Sequence, residues 1–169
     1  MAGNLVKKGA VVGVTVYADN VLVAEDVTIS LPEITPKTQT LSAMGDIDLP
    51  LPLFEAMEAT INKIGIDKGF IKLITPEKRK FEFRWVQTKI KTDGTQENEG
   101  YKAFITGIPK TVFPGGDIAL GENYEGAIPI AVTRYQLFVA GDEYILVDKL
   151  KNQYKINGKD YAKGIKNLL

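Results

Sequence analysis

The chain has 169 residues, of which 44% are hydrophobic and 25% charged, a composition typical of a folded globular protein. Lys and Arg number 21 and Asp and Glu number 21, and this formal net charge of zero argues against a dedicated DNA-binding domain, which would carry a basic excess. The absence of Cys and His excludes disulfides and thiolate chemistry and removes the commonest zinc ligands.

The N-terminal residues 1–8 place two lysines after a short apolar stretch, which is the reverse of the order in a secretory signal peptide. No window approaches the roughly 20 apolar residues that a membrane-spanning helix needs. We therefore expect a protein made in the bacterial cytoplasm without a signal peptide and without stable membrane anchoring.

The first predicted elements are strands. Residues 11–24 alternate apolar and polar side chains on either side of the turn residues 18–20, which predicts a hairpin. Residues 27–32 predict another strand that ends at a proline.

Residues 33–54 are punctuated by prolines, show no periodicity and predict a long loop. One interpretation is a mobile surface loop, and the other is an arm that becomes ordered against a neighbouring subunit. The arm is favoured because disordered segments are usually poorer in apolar side chains. The candidate contact residues of this arm are Ile34, Leu41, Met44, Ile47, Leu49 and Leu51.

Residues 54–64 fit helical and strand spacing equally well. Asp67 predicts the N-cap of a short helix that carries Phe70 and ends before Pro76. We expect this to be the one short helix of the fold.

Residues 80–91 predict a long strand whose one face carries Phe81, Phe83 and Trp85. The apolar positions then change parity, which predicts a β-bulge. The opposite face carries a mixed-sign polar set of Lys80, Glu82 and Arg84. Such a face is either the ordinary outer face of a sandwich or the lining of a wet channel.

The rest of the chain predicts strands separated by turns. Residues 92–95 predict a turn that continues into a polar loop tip through Asn98, and residues 101–108 predict a strand. Residues 127–139 predict a second long strand with its own change of parity between Val132 and Tyr135. Turns are predicted at residues 114–116 and 140–143, and Asn157 with Gly158 is a strong hairpin signal.

This pattern predicts a mainly β fold over a single domain of residues 1–169, either a β-sandwich or a partly open barrel. The acidic side chains are scattered through turns and polar strand faces, so solvated surface charges are favoured over a catalytic carboxylate pair. No phosphate loop, calcium loop or zinc spacing is present. We therefore expect neither an enzyme nor a bound cofactor.

The C-terminal residues 144–148, 155–160 and 164–169 resemble the end of the major tail tube proteins of contractile phage tails and R-type bacteriocins. Residues 27–34, followed by a polar loop with residues 43–45, resemble the N-terminal third of that family. The order of elements between these segments is compatible with the family along the chain.

The resemblance implies hexameric rings whose strands join into a continuous inner β-barrel and which stack into a rigid tube. It implies that the long loop, here residues 33–54, bridges adjacent rings. A lumen needs polar residues on one face of its lining strands, and Lys80, Glu82 and Arg84 are the candidates for this role. The implied partners are further copies of the chain, the tail sheath protein, and the baseplate and tail terminator proteins. DNA would pass through the lumen in a phage but not in a bacteriocin, and the tube would end in an extracellular virion or tail-like particle.

Three other hypotheses stay open at this point. One is a monomeric β-sandwich that binds a ligand, and another is a tube protein like that of a type VI secretion system. The third, an enzyme with a carboxylate pair, is the least supported because no acidic residue lies in an apolar stretch.

Overall fold

Residues 6–169 are described by a computed structural model, in which they form twelve strands and two short helices. Residues 1–5, on which part of the signal-peptide expectation depends, lie outside the described residues. The mainly β fold class is confirmed, with 60% of the chain in strands and 6% in helices. In chain order, the elements are β1 (Lys7–Ala18), β2 (Val21–Glu25), β3 (Thr28–Ser30), β4 (Pro36–Ser42), β5 (Asp46–Phe54), β6 (Met57–Ile64), α1 (Lys68–Leu73), β7 (Arg79–Ile90), β8 (Gln96–Pro109), β9 (Glu125–Val139), β10 (Asp142–Asp148), β11 (Gln153–Ile156), β12 (Lys159–Asp160) and α2 (Lys163–Lys166).

The main sheet has the strand order β12-β11-β10-β9-β8-β7-β1-β2, and all of its neighbouring strands are antiparallel. Strand β9 pairs with β8 along one edge, and along its other edge it pairs first with β6 and then with β10. Strand β3 pairs with β6 and extends this branch. The sheet is open and does not close into a barrel.

The predicted change of parity in β9 is confirmed as a bulge at Thr133. The register with β8 passes from Thr106 opposite Arg134 to Gly107 opposite Val132, so Thr133 is the extra residue. Its hydroxyl donates a hydrogen bond to the Thr106 carbonyl at 3.1 Å. The bulge lies where the neighbour of β9 changes from β6 to β10, so it separates the two halves of the sheet.

The predicted bulge in β7 is wrong. Strand β7 pairs with β8 without interruption, and the extra residues lie in the opposite neighbour, β1. The apolar side chains change from one face of β7 to the other because the hydrophobic core ends near Trp85. Beyond Trp85, the core-side face of β7 continues with Gln87 and Lys89, while Val86 and Ile90 lie on the opposite face.

The predicted irregular loop at residues 33–54 is also wrong, because most of it forms the antiparallel hairpin β4–β5. Pro50 and Pro52 obscured its alternation, but a two-stranded sheet leaves one edge of each strand unpaired, and proline is tolerated there. The polar loop tip predicted through Asn98 is wrong for a related reason. Strand β8 already begins at Gln96, with Glu97 opposite Lys89.

Several local predictions are confirmed. Asp67 is the N-cap of α1, and its Oδ1 accepts a hydrogen bond from the Phe70 amide at 2.8 Å. Asn157 and Gly158 form the turn between β11 and β12, with φ angles of 50° and 79°. The ambiguous residues 54–64 are mainly strand β6, and α2 is a second short helix that the sequence pattern did not predict.

One hydrophobic cluster joins both branches of the sheet with α1. Buried side chains from β1, β7 and β8 contact those from β6 and β9. The largest fully buried side chains are Phe70, Phe81, Phe83, Ile61, Leu73, Ile105, Ile128, Ile130, Val16 and Val147.

Candidate assembly surfaces

The hairpin β4–β5 is amphipathic, and its strands pair only with each other within the described residues. On one face Leu41 lies opposite Ile47. On the other face the Thr40 hydroxyl donates to Asp48 at 2.6 Å, and the Ser42 hydroxyl donates to Asp46 at 2.8 Å. These two bonds hold the polar face together, and on the opposite face Leu41, Ile47 and Leu49 stay exposed among the described residues.

The structure separates the six residues predicted for the arm. Leu41, Ile47 and Leu49 are exposed on the apolar face, and Met44 is fully exposed at the tip. Leu51 is half-buried nearer the base. Ile34 precedes β4 and packs against the hydrophobic core of its own chain, so the structure does not place it with the other five.

Lys80, Glu82 and Arg84 share the face of β7 that points away from the core. Lys80 is exposed, and Arg84 Nε donates to Glu82 Oε1 at 2.5 Å. This hydrogen bond raises the pKa of Arg84. The Arg84 guanidinium also lies 4.4 Å from the centre of the Tyr17 ring, so two neighbours on β7 and β1 hold its orientation.

This outer face of the sheet borders a groove of about 770 Å³. Phe104 and Phe138 make an edge-to-face contact there, with ring centres 5.6 Å apart. Gln136 lies beside Phe104 on the next strand and donates to Glu143 at 2.5 Å. The groove combines mixed charges with two aromatic rings, which is a surface that can meet water or another polar macromolecule.

A cluster of ion pairs lies beyond the hydrophobic core on the other face of the same strands. Lys8 pairs with Glu99 and also donates to the Tyr101 hydroxyl at 2.9 Å, and Lys91 donates to Glu97 at 2.5 Å. Lys8 holds the pKa of Glu99 below its usual value, and Lys91 does the same for Glu97. Sequence reasoning missed this cluster because Lys8 and Glu99 lie 91 residues apart.

Strand β1 has a free edge. Its residues Thr15–Ala18 pair with β2, whereas the preceding part of β1 pairs only with β7 within the described residues. Val11 and Val12 are exposed in this part. An unpaired strand edge is a template for a strand of another chain.

Opposite charges lie in different parts of the sheet. Residues 9–36, which include most of β1 with β2 and β3, contain four acidic residues and neither Lys nor Arg. Residues 149–169, which include β11, β12 and α2, contain six Lys and one Asp. Strands β2 and β12 are the two ends of the main strand order. The net charge of zero therefore conceals a strong separation of charge.

Among the described residues, every resolved pKa shift moves its group further from neutral pH. The resolved pKa shifts of carboxyl groups are downward, and they belong to Asp67, Asp93, Glu97 and Glu99. Burial raises the pKa of Tyr135 to about 12, further from neutrality. Within residues 6–169 no three acidic residues are grouped as metal ligands, and no helix is long and apolar enough to cross a membrane.

Comparison with known proteins gives one result that covers nearly the whole chain. The family model described as phage tail tube protein FII matches residues 9–169. No curated protein matches the chain.

Proposed function

This chain belongs to the phage tail tube protein FII family, and we propose that its copies form hexameric rings that stack into the inner tube of a contractile tail. The family itself makes the chain a structural subunit of a phage tail tube that assembles with its own copies. Such a subunit needs surfaces that bind further copies rather than a catalytic centre.

The observation that carries the proposal is the projecting hairpin. Leu41, Ile47 and Leu49 expose apolar surface that no other part of residues 6–169 covers. Burial of such surface in a contact stabilises it by roughly 25 cal/mol per Å². A hairpin that leaves the body of its own subunit can reach a copy in the next ring, and this is the role we propose for its exposed apolar side chains.

Lateral contacts within a ring would use the free edge of β1. A strand from the neighbouring copy would complete its hydrogen bonds and remove an edge that is otherwise a site of aggregation. The four acidic side chains between positions 19 and 33 and the six lysines between positions 149 and 166 provide complementary charges for such a contact.

The two charged regions lie in different parts of the sheet, so the contact would be head-to-tail. Head-to-tail contacts close into a ring when the rotation between neighbouring subunits divides a full turn evenly.

We propose that Lys80, Glu82 and Arg84 line the lumen of the tube. Their face points away from the core, and the Glu82–Arg84 ion pair balances charge locally. A lumen of this kind presents mixed charges to water or to passing DNA rather than a uniformly basic wall that would retain DNA.

The remaining parts of the proposal concern the particle. Residues 144–148 and 155–160, which resemble contractile-tail proteins, form most of β10 and most of the β11–β12 hairpin. They support a contractile tail over a type VI tube. The partners would be the sheath, baseplate and terminator proteins, and the tube would leave the cell in a virion or a bacteriocin particle. Capsid and terminase genes beside the coding gene would indicate a phage whose DNA crosses the lumen.

A change in the hairpin distinguishes a self-assembling tube subunit from a monomeric ligand-binding module. Replacement of residues 38–50 by two glycines removes Leu41, Ile47 and Leu49 but keeps Pro36 and Phe54, which lie opposite each other at the base. Sedimentation velocity at rising concentration should show large assemblies for the unaltered chain and small species for the variant. Identical small species for both proteins would contradict the proposed function.

A further inference from the structure

The base of the β4–β5 hairpin is held to the body by a small number of contacts. Within residues 6–169 the side-chain hydrogen bonds of β4 and β5 stay inside the hairpin, and the two strands pair only with each other. Ile34 anchors the entry to β4 by packing against the hydrophobic core. At the exit from β5, Phe54 and Glu55 contact the body. The direction of the hairpin therefore depends on what holds these two residues.

The C-terminal part of the chain supplies both contacts at this exit. Phe54 meets the ring of Tyr154 edge-to-face, with the ring centres 4.7 Å apart. Such pairs are attractive because the positive edge of one ring meets the negative face of the other. The Glu55 carbonyl accepts a hydrogen bond from Lys149 Nζ at 2.5 Å. One short stretch, residues 149–154, thus holds the exit of the hairpin.

This stretch is tied to the residues that follow it. The Tyr154 carbonyl accepts a hydrogen bond from the Tyr161 amide at 2.8 Å, and the two rings lie 5.4 Å apart between their centres. Lys166 Nζ, in α2, donates to the Lys151 carbonyl at 2.8 Å. These contacts join residues 149–169, which we call the C-terminal segment, into one unit.

A cavity of about 400 Å³ lies between the hairpin base and the C-terminal segment. Its walls include Pro52 and Phe54 of the hairpin, and Ile165 and Leu169 of the C-terminal segment. Phe54 therefore contacts Tyr154 on one side and borders open space on another. Open space offers no atoms that resist a shift of the ring. Without the Tyr154 ring, Phe54 would be free to move into the cavity.

We propose that the C-terminal segment positions the β4–β5 hairpin, and that it fixes the direction of the hairpin through the Tyr154 ring and the Lys149 ammonium group. These contacts lie within one chain, so they act whether or not copies assemble. A consequence rests on the proposed function. The C-terminal segment carries the six lysines proposed for lateral contacts, so a neighbour bound to them would act on the hairpin of the same subunit.

The absence of Cys from the sequence allows two spin labels to be placed at chosen positions. One is attached at Met44→Cys, at the exposed tip of the hairpin, and the other at Ile64→Cys, at the exposed far end of β6. Every chain also carries Leu41→Asp and Ile47→Asp, which keep the hairpin from meeting another copy, and is diluted with unlabelled chain. Double electron–electron resonance then measures the distribution of distances between the two labels.

We expect one narrow distribution when the C-terminal segment is unaltered. The distribution should be at least twice as wide for Tyr154→Leu, which keeps an apolar side chain but removes the ring. Lys149→Met, which removes the hydrogen bond to the Glu55 carbonyl, should also widen it. The matched controls are Tyr144→Leu on β10 and Lys155→Met on β11, and both should leave the width unchanged.

A distribution for Tyr154→Leu as narrow as that of the parent chain, or equal widening by the two controls, would overturn the proposal. Circular dichroism checks that each variant keeps its strands, and Lys149→Met decides in the same way if Tyr154→Leu does not fold. Electron microscopy of the unaltered chain reports on the tube separately. Widening without tubes would keep the positioning role and reject the tube, whereas tubes without widening would do the reverse.

Discussion

Leu41 and Ile47 lie directly opposite each other across the β4–β5 hairpin, and they are 43% and 50% exposed. Both belong to an apolar face that no other described part of the chain covers. The hydrogen bonds Thr40–Asp48 and Ser42–Asp46 order the hairpin from its polar face, and the opposite face keeps this apolar pair exposed.

The first prediction concerns this pair. Leu41→Asp combined with Ile47→Asp should abolish tube formation, because two charges would have to be buried without partners in the contact. The thermal unfolding temperature should change little, since both side chains are exposed in the single chain. Electron microscopy and circular dichroism measure the two effects.

Thr38→Asp is the matched control, because Thr38 lies on the polar face opposite Pro50. It should leave tube formation intact. Loss of tubes in this control as well would show that any charge on the hairpin is disruptive and that the apolar face has no special role.

The second prediction concerns the separated charges. Lys159→Glu should weaken association at low salt, because it places a negative charge in the basic region that would face the acidic residues of a neighbour. Glu25→Lys in the same chain should restore part of the association. Light scattering measures the assembly, and Lys78→Glu, outside the basic C-terminal region, is the control.

Salt gives an independent reading of the same contact. The unaltered chain should associate more slowly at 1 M salt, where the screening length falls to about 3 Å, than at 0.1 M, where it is about 10 Å. Assembly rates that do not depend on salt would count against a contact steered by these charges.

The third prediction concerns a single backbone position. Ala140 has a φ of 51° in the turn between β9 and β10, a left-handed conformation that costs energy for any residue with a Cβ. Ala140→Gly should raise the free energy of unfolding by about 1 kcal/mol. Urea denaturation measures this, and Ala10→Gly in strand β1 should lower the same free energy, because glycine weakens a strand.

The fourth prediction concerns acid stability. The folded-state pKa values of Glu97 and Glu99 are lowered by Lys91 and Lys8. Their contribution to the free energy of unfolding is therefore fully present above the unfolded pKa of about 4.3, and it is lost as the pH falls through the lower folded pKa. Glu99→Gln should flatten the fall in unfolding temperature below about pH 4.3.

Glu25→Gln provides the comparison, because Glu25 has no ion-pair partner within residues 6–169. The unfolding temperatures of Glu99→Gln and of the unaltered chain should therefore diverge below about pH 4.3. If they fall together, the Lys8–Glu99 pair does not contribute to stability.

Features set by neighbouring residues could be predicted from the sequence. Asp67 caps α1 with a bond to the amide three residues later, and Asn157 and Gly158 accept the positive φ angles of a tight turn. The bulge at Thr133 could be predicted because the buried side chains occupy even positions before it and odd positions after it.

Features set by distant pairings could not be predicted in this way. The extra residues of β1 appear only in its register with β7, and the Lys8–Glu99 pair joins residues 91 positions apart.

Electron microscopy of the concentrated protein, and of lysate from producing cells, tests whether copies of this chain assemble into a hollow tube. We expect stacked rings with a central channel and, at higher resolution, strands that continue from one subunit into the next. A preparation that stays monomeric at high concentration, together with a lysate free of tubes, would contradict it.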